Sequence, residues 1–497
     1  MHETMSTGVR GLDAILPGGL PRGHLYLLEG DPGAGKTTLA LQFLLEGRDR
    51  GEQVLYCTLS ETRSEIEQIA RSHGWDLDGV TIFELSTTGE DPTGAEAYTV
   101  FSPADIELGE TTKRLIEQVE RVRPARVVID SLSELRLMSQ ELLRYRRQIL
   151  GLKHYFAADA STVLLLDDRT APSSDLQPRS IAHGVIELDR MSIEYGAERR
   201  RVRIVKLRGA SFTGGYHDFV IRRGGLAVFP RLSGAHDGRA FDETPATTGV
   251  EGLDALLGGG LDRGTSTLLI GPAGTGKSTL AMSIIGAAAG RGERCAVFGF
   301  EENIRTVMHR ARQLGMGIDR HAEEGVLSIR SVLPAELSPG EFADLIRESV
   351  DRDGARVVLI DSLNGYLNSM PEERFLAAQL HELLGFLNGR GVVTIMVLAQ
   401  RNMTGPAMPA VADVSYLADT VVMLRLFEAF GAVHKAVSVL KKRTGAHETT
   451  IRELHFGVGG VRLGKALTDF RGVLTGVPVY VGEPGDLADR DGHGPAR

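Results

Sequence analysis

Two lysines, Lys36 and Lys277, each close a glycine-rich loop of the form Gly-x-x-x-x-Gly-Lys-Ser/Thr. The first loop, in "LLEGDPGAGKTTLALQF", supplies Gly30, Gly33, Gly35, Lys36, Thr37 and Thr38. The second, in "LLIGPAGTGKSTLAMSI", supplies Gly271, Gly274, Gly276, Lys277, Ser278 and Thr279. Glycines let backbone N–H groups turn inward around phosphate oxygens, where a Cβ would obstruct. The lysine adds positive charge near the β- and γ-phosphates, and the hydroxyl of Thr37 or Ser278 ligates Mg²⁺. Each loop runs into a helical segment whose N-terminus also points at the anion. The chemistry implied is binding of Mg²⁺-ATP, twice.

Carboxylates stand where such a site needs them. Asp130 and Asp361 each end a β-branched apolar strand, "ARVVID" and "ARVVLID". That puts them at the sheet edge beside the phosphate loop, in the position of an Mg²⁺ ligand. The competing reading is a helix N-cap before the following "SL". Glu61 in "LSET", and Glu301 and Glu302 in "FEEN", follow the next strand at one offset from both loops. Such a glutamate can polarise a water or a hydroxyl for in-line attack on a γ-phosphate. It could also merely cap the next helix. The first copy carries Ser60 where the second carries Glu301, so the two sites are expected to differ in rate.

These residues need a sheet and a set of helices to hold them, and the sequence writes both twice. Lys36 and Lys277 are offset by 241 (277 − 36), as are "TGVRGLDAILPGGLPRG" and "TGVEGLDALLGGGLDRG". Asp130 and Asp361 are offset by 231 (361 − 130), so the first copy has about ten extra residues, expected in "STTGEDPTGAEAYTVFSPAD". A period this long is a domain duplication, not a solenoid. Within each copy, apolar strands alternate with amphipathic helices, which means a largely parallel sheet covered on both faces. The segments "RRRVRIVKLRG" and "HKAVSVLKKRTG" read as later strands paired in hairpins. The fold class is therefore α/β, with two tandem P-loop domains. The expected divisions are residues 1–232, a linker at 233–245, residues 246–480, and a disordered Gly/Pro-rich tail at 481–497.

Composition sets the class. A chain of 497 residues suggests two or three domains, and 42% hydrophobic content is enough for real cores. The net charge of −9 speaks against a broad nucleic-acid footprint. Cys57 and Cys295 fall in strand-like segments of different copies and read as buried thiols in a reducing cytoplasm. No apolar run reaches the length of a membrane span, and the N-terminus lacks a signal pattern.

The Thr-Gly-x-x-Gly-Leu-Asp lead-in, the phosphate loop, the Glu after a strand and the "IDSL" strand, each present twice, resemble the KaiC family of tandem RecA-type ATPases. The resemblance runs over about residues 5 to 475. It implies a two-tiered homo-hexamer with ATP between subunits. "VKLRGASFTGGYHDFVI" and "LKKRTGAHETTIREL" are similar to segments that reach the neighbour's nucleotide in that family. By that match Lys206, Leu207, Arg208, Lys441, Arg443 and His447 touch ATP in trans; read alone, "VKLR" and "LKKR" would be basic strand-edge residues. Ala210 and Phe212 depart from the family's Thr and His. The resemblance further implies a serine/threonine autokinase in the second domain. Ser415, in "AVADVSYLADTVVML", matches the accepting serine, with Glu302 or Glu301 as base, while Tyr416 replaces the neighbouring threonine. A two-site phosphorylation cycle and a KaiA-type activator are not expected; a signalling or timing role with unidentified protein partners is. Two rival readings stay open. One is a RecA-type DNA-interacting ATPase using the loops "RTAPSSDLQPR" and "QRNMTGPAMP". The other is a non-catalytic scaffold with structural ATP.

Overall fold

The computed structural model describes residues 3–85, 103–139, 142–169, 177–192, 196–232, 240–333, 335–368, 375–400, 415–475 and 477–482. The chain divides into two compact units, Met1–Arg231 and Leu232–Arg497.

Among the described residues the first unit holds one nine-stranded sheet. From one edge its order is Gly225–Phe229, His217–Arg222, Arg199–Leu207, Gly184–Met191, Leu25–Gly30, Thr162–Asp168, Arg126–Asp130, Val54–Thr58 and Thr81–Glu84. The last six run parallel and the first three are added antiparallel. Continuous apolar runs such as "LYLLEG" and "RVVID" suit central parallel strands, which bury both faces. The faces are filled by two clusters, one around Leu28, Phe43 and Tyr56, the other around Leu27, Ile129 and Phe156. The helix Lys36–Asp49 is buried on most sides although half its residues are polar, with Leu39, Leu41, Phe43 and Leu44 all inside and Lys36, Thr38 and Gln42 buried beside them.

The second unit repeats this plan. Its order is Leu327–Ser331, Cys295–Gly299, Val357–Asp361, Val393–Gln400, Ser266–Pro272, Thr420–Ala429, Ala432–Lys442, Arg452–Gly457 and Gly460–Ala466. The first six are again parallel and the last three antiparallel. The twice-repeated, mostly parallel α/β architecture expected from the sequence is thus present, including the hairpins after the parallel strands.

Arg126 marks one difference between the copies. It is wholly buried, donating to Glu52 Oε2 at 2.5 Å, Ser6 O at 2.7 Å and Phe43 O at 2.8 Å. Arg356, just before the matching strand of the second unit, is exposed. Cys57 and Cys295 are free and buried, and burial pushes each thiol up to about 12. Among the described residues no helix is long and apolar enough to cross a membrane. The segment expected to carry the ten extra residues falls largely at 86–102, outside the described residues. So do most of the proposed linker, the tail from 483, and the loops at 170–176 and 401–414 considered for DNA.

Candidate functional site

The phosphate loop of each unit leaves a central strand and enters a buried helix. Glycine is required at both ends of it. A Cβ on Gly30 would lie 2.5 Å from Leu188 O, and one on Gly271 would lie 2.2 Å from Leu424 O. Gly35 and Gly276, the helix N-caps, adopt φ of 105° and 93°, a region that L side chains avoid. Gly33 and Gly274 also have positive φ.

In the first unit Lys36 turns inward and is buried. Its ammonium donates to Gly30 O at 2.8 Å and Asp31 O at 3.1 Å, and pairs with Asp168 Oδ1 at 2.6 Å. Thr37 Oγ1 donates to Asp130 Oδ2 at 3.4 Å, and the Tyr56 hydroxyl donates to the same oxygen at 2.6 Å. Burial raises the Asp130 carboxyl, and the Tyr56 hydrogen bond opposes that shift. A hydroxyl and a carboxylate side by side are hard oxygen donors, so Thr37 and Asp130 fit Mg²⁺ completed by phosphate and water. Thr38 continues the helix and is buried.

Glu61 follows on a turn clasped by Thr58, whose Oγ1 donates to Glu61 O at 2.7 Å and accepts from Glu61 N at 2.9 Å. Its carboxyl is pushed up to about 7, first by burial and then by the charges of Asp130, Glu65 and Asp168. Its Oε2 is buried without a hydrogen-bond partner. Ser60 is exposed.

In the second unit a cavity of about 450 Å³ opens over the loop, bounded by Gly274, Lys277, Ser278, Thr279, Glu301 and Asp361. Lys277 donates to Pro272 O at 2.7 Å, and burial lowers it to about 8 against the pull of Asp361 and Glu301. Asp361 is raised by burial and takes a hydrogen bond from Ser278, the same hydroxyl–carboxylate pair as in the first unit. Glu301 Oε1 accepts from Ser362 Oγ at 2.7 Å. Glu302 is instead held by Arg310, Nη1 to Oε1 at 2.6 Å and Nη2 to Oε2 at 2.7 Å. The helices that follow are capped by Thr62 and Asn303, through Glu65 N at 3.3 Å and Arg305 N at 2.8 Å.

The basic hairpin residues lie at the other end of each sheet. Leu207 pairs with Gly184, and Gly184 pairs with Tyr26, at the start of the strand that ends at Gly30. Lys206 donates to Arg179 O and Arg208 to Ser180 O at 2.9 Å, while the Leu207 side chain is buried in the core. Lys441 pairs with Val421, next to Thr420, which is level with Thr267. Lys441 donates to Ala418 O at 2.7 Å and Ser415 O at 3.2 Å, and Arg443 to Tyr416 O at 2.8 Å. The structure therefore gathers Ser415, Lys441 and Arg443 together. Val421 is itself level with Leu268, so Lys441 stands three strand residues back from Gly271, about 10 Å at roughly 3.3 Å per residue. His447 is half-buried on the segment that continues from Arg443.

Sequence reasoning missed several groups. Asp168 enters the first site from a strand distant in the chain from Lys36, Tyr56 reaches Asp130 from a neighbouring strand, and Ser362 and Arg310 reach Glu301 and Glu302. Two cations over the loops were missed as well: Arg200 donates to Gly33 O at 2.8 Å, and Lys435 lies 4.7 Å above the Phe456 ring at the cavity wall. Arg200 pairs with Arg190 and Lys435 with Leu426, matching register positions of the two sheets. The signal available was only a run of basic residues in a strand.

A family model described as KaiC, an ATPase, matches residues 5–233 and again 246–467. Among curated proteins, the chain is 25% identical to the circadian clock protein KaiC3 of Synechocystis sp., covering 97% of this chain and 95% of that one. It is 26% identical to the circadian clock oscillator protein KaiC of Picosynechococcus sp., over 96% and 93% of the two chains. The same identity holds for the KaiC of Synechococcus elongatus, over 96% and 92%.

Proposed function

The chain belongs to the KaiC family of ATPases, and from that premise we propose that it binds Mg²⁺-ATP in both units and that its second unit phosphorylates Ser415 of a neighbouring copy. The observation that carries this reading is the separation within one unit. The phosphate loop with Lys277 sits at one end of the sheet, and Ser415, Lys441 and Arg443 sit at the other. A group held at the far end of the sheet, about 10 Å or more back from the loop, does not reach its own γ-phosphate. Two copies stacked head to tail bring the ends together, and a heterologous contact of that kind makes a ring when its rotation closes. Six copies is what the resemblance implies.

In that arrangement Lys277 faces the β- and γ-phosphates, and Ser278 and Asp361 would hold Mg²⁺, which would supply charge neutralisation for the departing diphosphate. Lys441, Arg443 and His447 of the adjoining copy approach the nucleotide from outside, as do Lys206, Arg208 and the Leu207 backbone in the first unit. Ser415 Oγ forms a bond to the γ-phosphorus as the bond to the β-phosphate oxygen breaks. The serine proton passes to Glu301. Glu301 suits the role better than Glu302 because it lines the cavity, whereas both oxygens of Glu302 are engaged by Arg310. In the first unit Ser60 stands at the Glu301 position, so Glu61, at the Glu302 position, is the carboxylate left to activate water. The curated relatives are named circadian clock proteins, and we extend to this chain a signalling or timing role in the cytoplasm. Tyr416 in place of a second acceptor argues for a single phosphorylation event.

Incubation with γ-labelled ATP followed by mass spectrometry tests the reading. Label on Ser415, lost in Lys277→Ala, is expected. Stoichiometric label in Ser415→Ala protein would overturn the assignment.

A further inference from the structure

The two phosphate loops are alike in sequence, yet their lysines keep different company. Gly30 is level with Asp168 on the adjacent strand, and Gly271 is level with Ala399. The backbone N–H of Asp168 donates to Ser133 Oγ at 3.2 Å, and that of Ala399 donates to Asn364 Oδ1 at 2.6 Å. Ser133 and Asn364 are themselves three residues beyond Asp130 and Asp361. Asp168 and Ala399 are thus one position in two copies, an acid in the first and a methyl in the second.

The acid is well placed to matter. With Asp168 Oδ1 at 2.6 Å, Gly30 O at 2.8 Å and Asp31 O at 3.1 Å, the Lys36 ammonium has three acceptors. An ammonium has three donors. A phosphate reaching for Lys36 must therefore displace one of them. Lys36 is shielded from water far more than Asp168, at 8% against 31% side-chain exposure, so the carboxylate is the partner facing the open side. Asp130 lies nearby as a further carboxylate. At Lys277 the corresponding Ala399 offers no competitor.

We propose that Asp168 sets the nucleotide preference of the first site, competing with the terminal phosphate for Lys36 so that the site favours a nucleoside diphosphate over a triphosphate relative to the second site. The inference rests on the reading of both loops as nucleotide sites and adds a difference between them. A triphosphate brings one more phosphate toward the Lys36–Asp168 pair than a diphosphate does. A like-charge contact near a protein surface, screened by solvent and counter-ions, changes affinity by about tenfold. Asp168 acts through Lys36 and is a positioning residue.

The test uses the full chain carrying Lys277→Ala, titrated in Mg²⁺ with ADP and with a non-hydrolysable ATP analogue. The quantity read is the ratio of the two dissociation constants, analogue over ADP. Asp168→Asn keeps the side-chain size and an acceptor for Lys36, and should lower that ratio about tenfold; Asp168→Ala should move it the same way. The reciprocal change, Ala399→Asp in a chain carrying Lys36→Ala, should raise the ratio at the second site. A ratio unchanged in both Asp168 variants, with both nucleotides still bound, overturns the proposal. A reference chain that binds neither nucleotide overturns instead the reading of the first loop as a nucleotide site.

Discussion

Glu302 and Arg310 meet in a two-point ion pair, 2.6 and 2.7 Å, while the adjacent Glu301 faces the cavity over Lys277 and is held by Ser362 at 2.7 Å. Both carboxylates lie near Asp361, but Arg310 occupies both oxygens of Glu302, whereas Glu301 lines the cavity. Glu301→Gln should slow phosphate incorporation by a factor on the order of 10² or more, the scale of general-base help. Glu302→Gln should cost less than about tenfold. Rates from a labelling time course decide between them, and the reverse ranking would hand the role to Glu302.

Glu61 makes the first unit sensitive to pH. Its folded-state pKa of about 7 lies above the ordinary carboxylate value because of burial and the charges of Asp130, Glu65 and Asp168. The folded state therefore holds the proton more tightly than the unfolded chain. That contribution to stability is complete at low pH and is lost as the pH rises through about 7. Glu61→Gln should raise the unfolding midpoint of the first unit at pH 8 and do little at pH 5. Calorimetry at the two pH values measures this, and an equal gain at both contradicts it.

Arg126 should matter far more than Arg356. Arg126 is buried against Glu52, Ser6 and Phe43, and truncating it removes one of the two arginines that hold Glu52, the other being Arg22, together with the side-chain donor to two carbonyls. Loss of a buried partner costs about 3–5 kcal/mol. Arg126→Ala should lower first-unit stability on that scale. Exposed Arg356→Ala should shift the second unit by less than about 0.5 kcal/mol. Urea unfolding of each variant compares them.

Assembly should depend on ATP. Nucleotide that bridges two copies binds the assembled form preferentially and stabilises it by mass action. Light scattering should report a ring in Mg²⁺-ATP and a smaller species without nucleotide. Lys36→Ala should chiefly weaken this assembly, whereas Lys277→Ala should abolish phosphorylation. A protein that stays monomeric in saturating Mg²⁺-ATP rejects the ring.

Much of the fold was legible in the sequence, because loops, strand ends and the duplicated spacing are local or periodic signals. The parallel strands announced themselves as unbroken apolar runs, and Gly30 and Gly271 fell where close backbone approach demands a glycine. What stayed hidden depends on which strand lies beside which. Asp168 reaches Lys36 only because the Thr162–Asp168 strand packs next to Leu25–Gly30, and nothing in "LLLDDRT" states that neighbour. The choice between Glu301 and Glu302 was open for a similar reason. Pleat and turn decide which carboxylate turns inward, and Arg310 enters from the following helix. Arg200 and Lys435 were readable as basic strand residues, but their position over the phosphate loops follows from antiparallel register.

Transfer between copies is the central claim, and a mixing experiment tests it most directly. One chain carries Ser415→Ala with its phosphate loop intact; the other carries Lys277→Ala with its serine intact. Alone, neither should take label from γ-labelled ATP. Co-assembled, the Lys277→Ala chain should be labelled on Ser415, because its serine meets the intact loop of a neighbour. A mixture that stays unlabelled, while the unsubstituted protein is labelled on Ser415, would contradict the account.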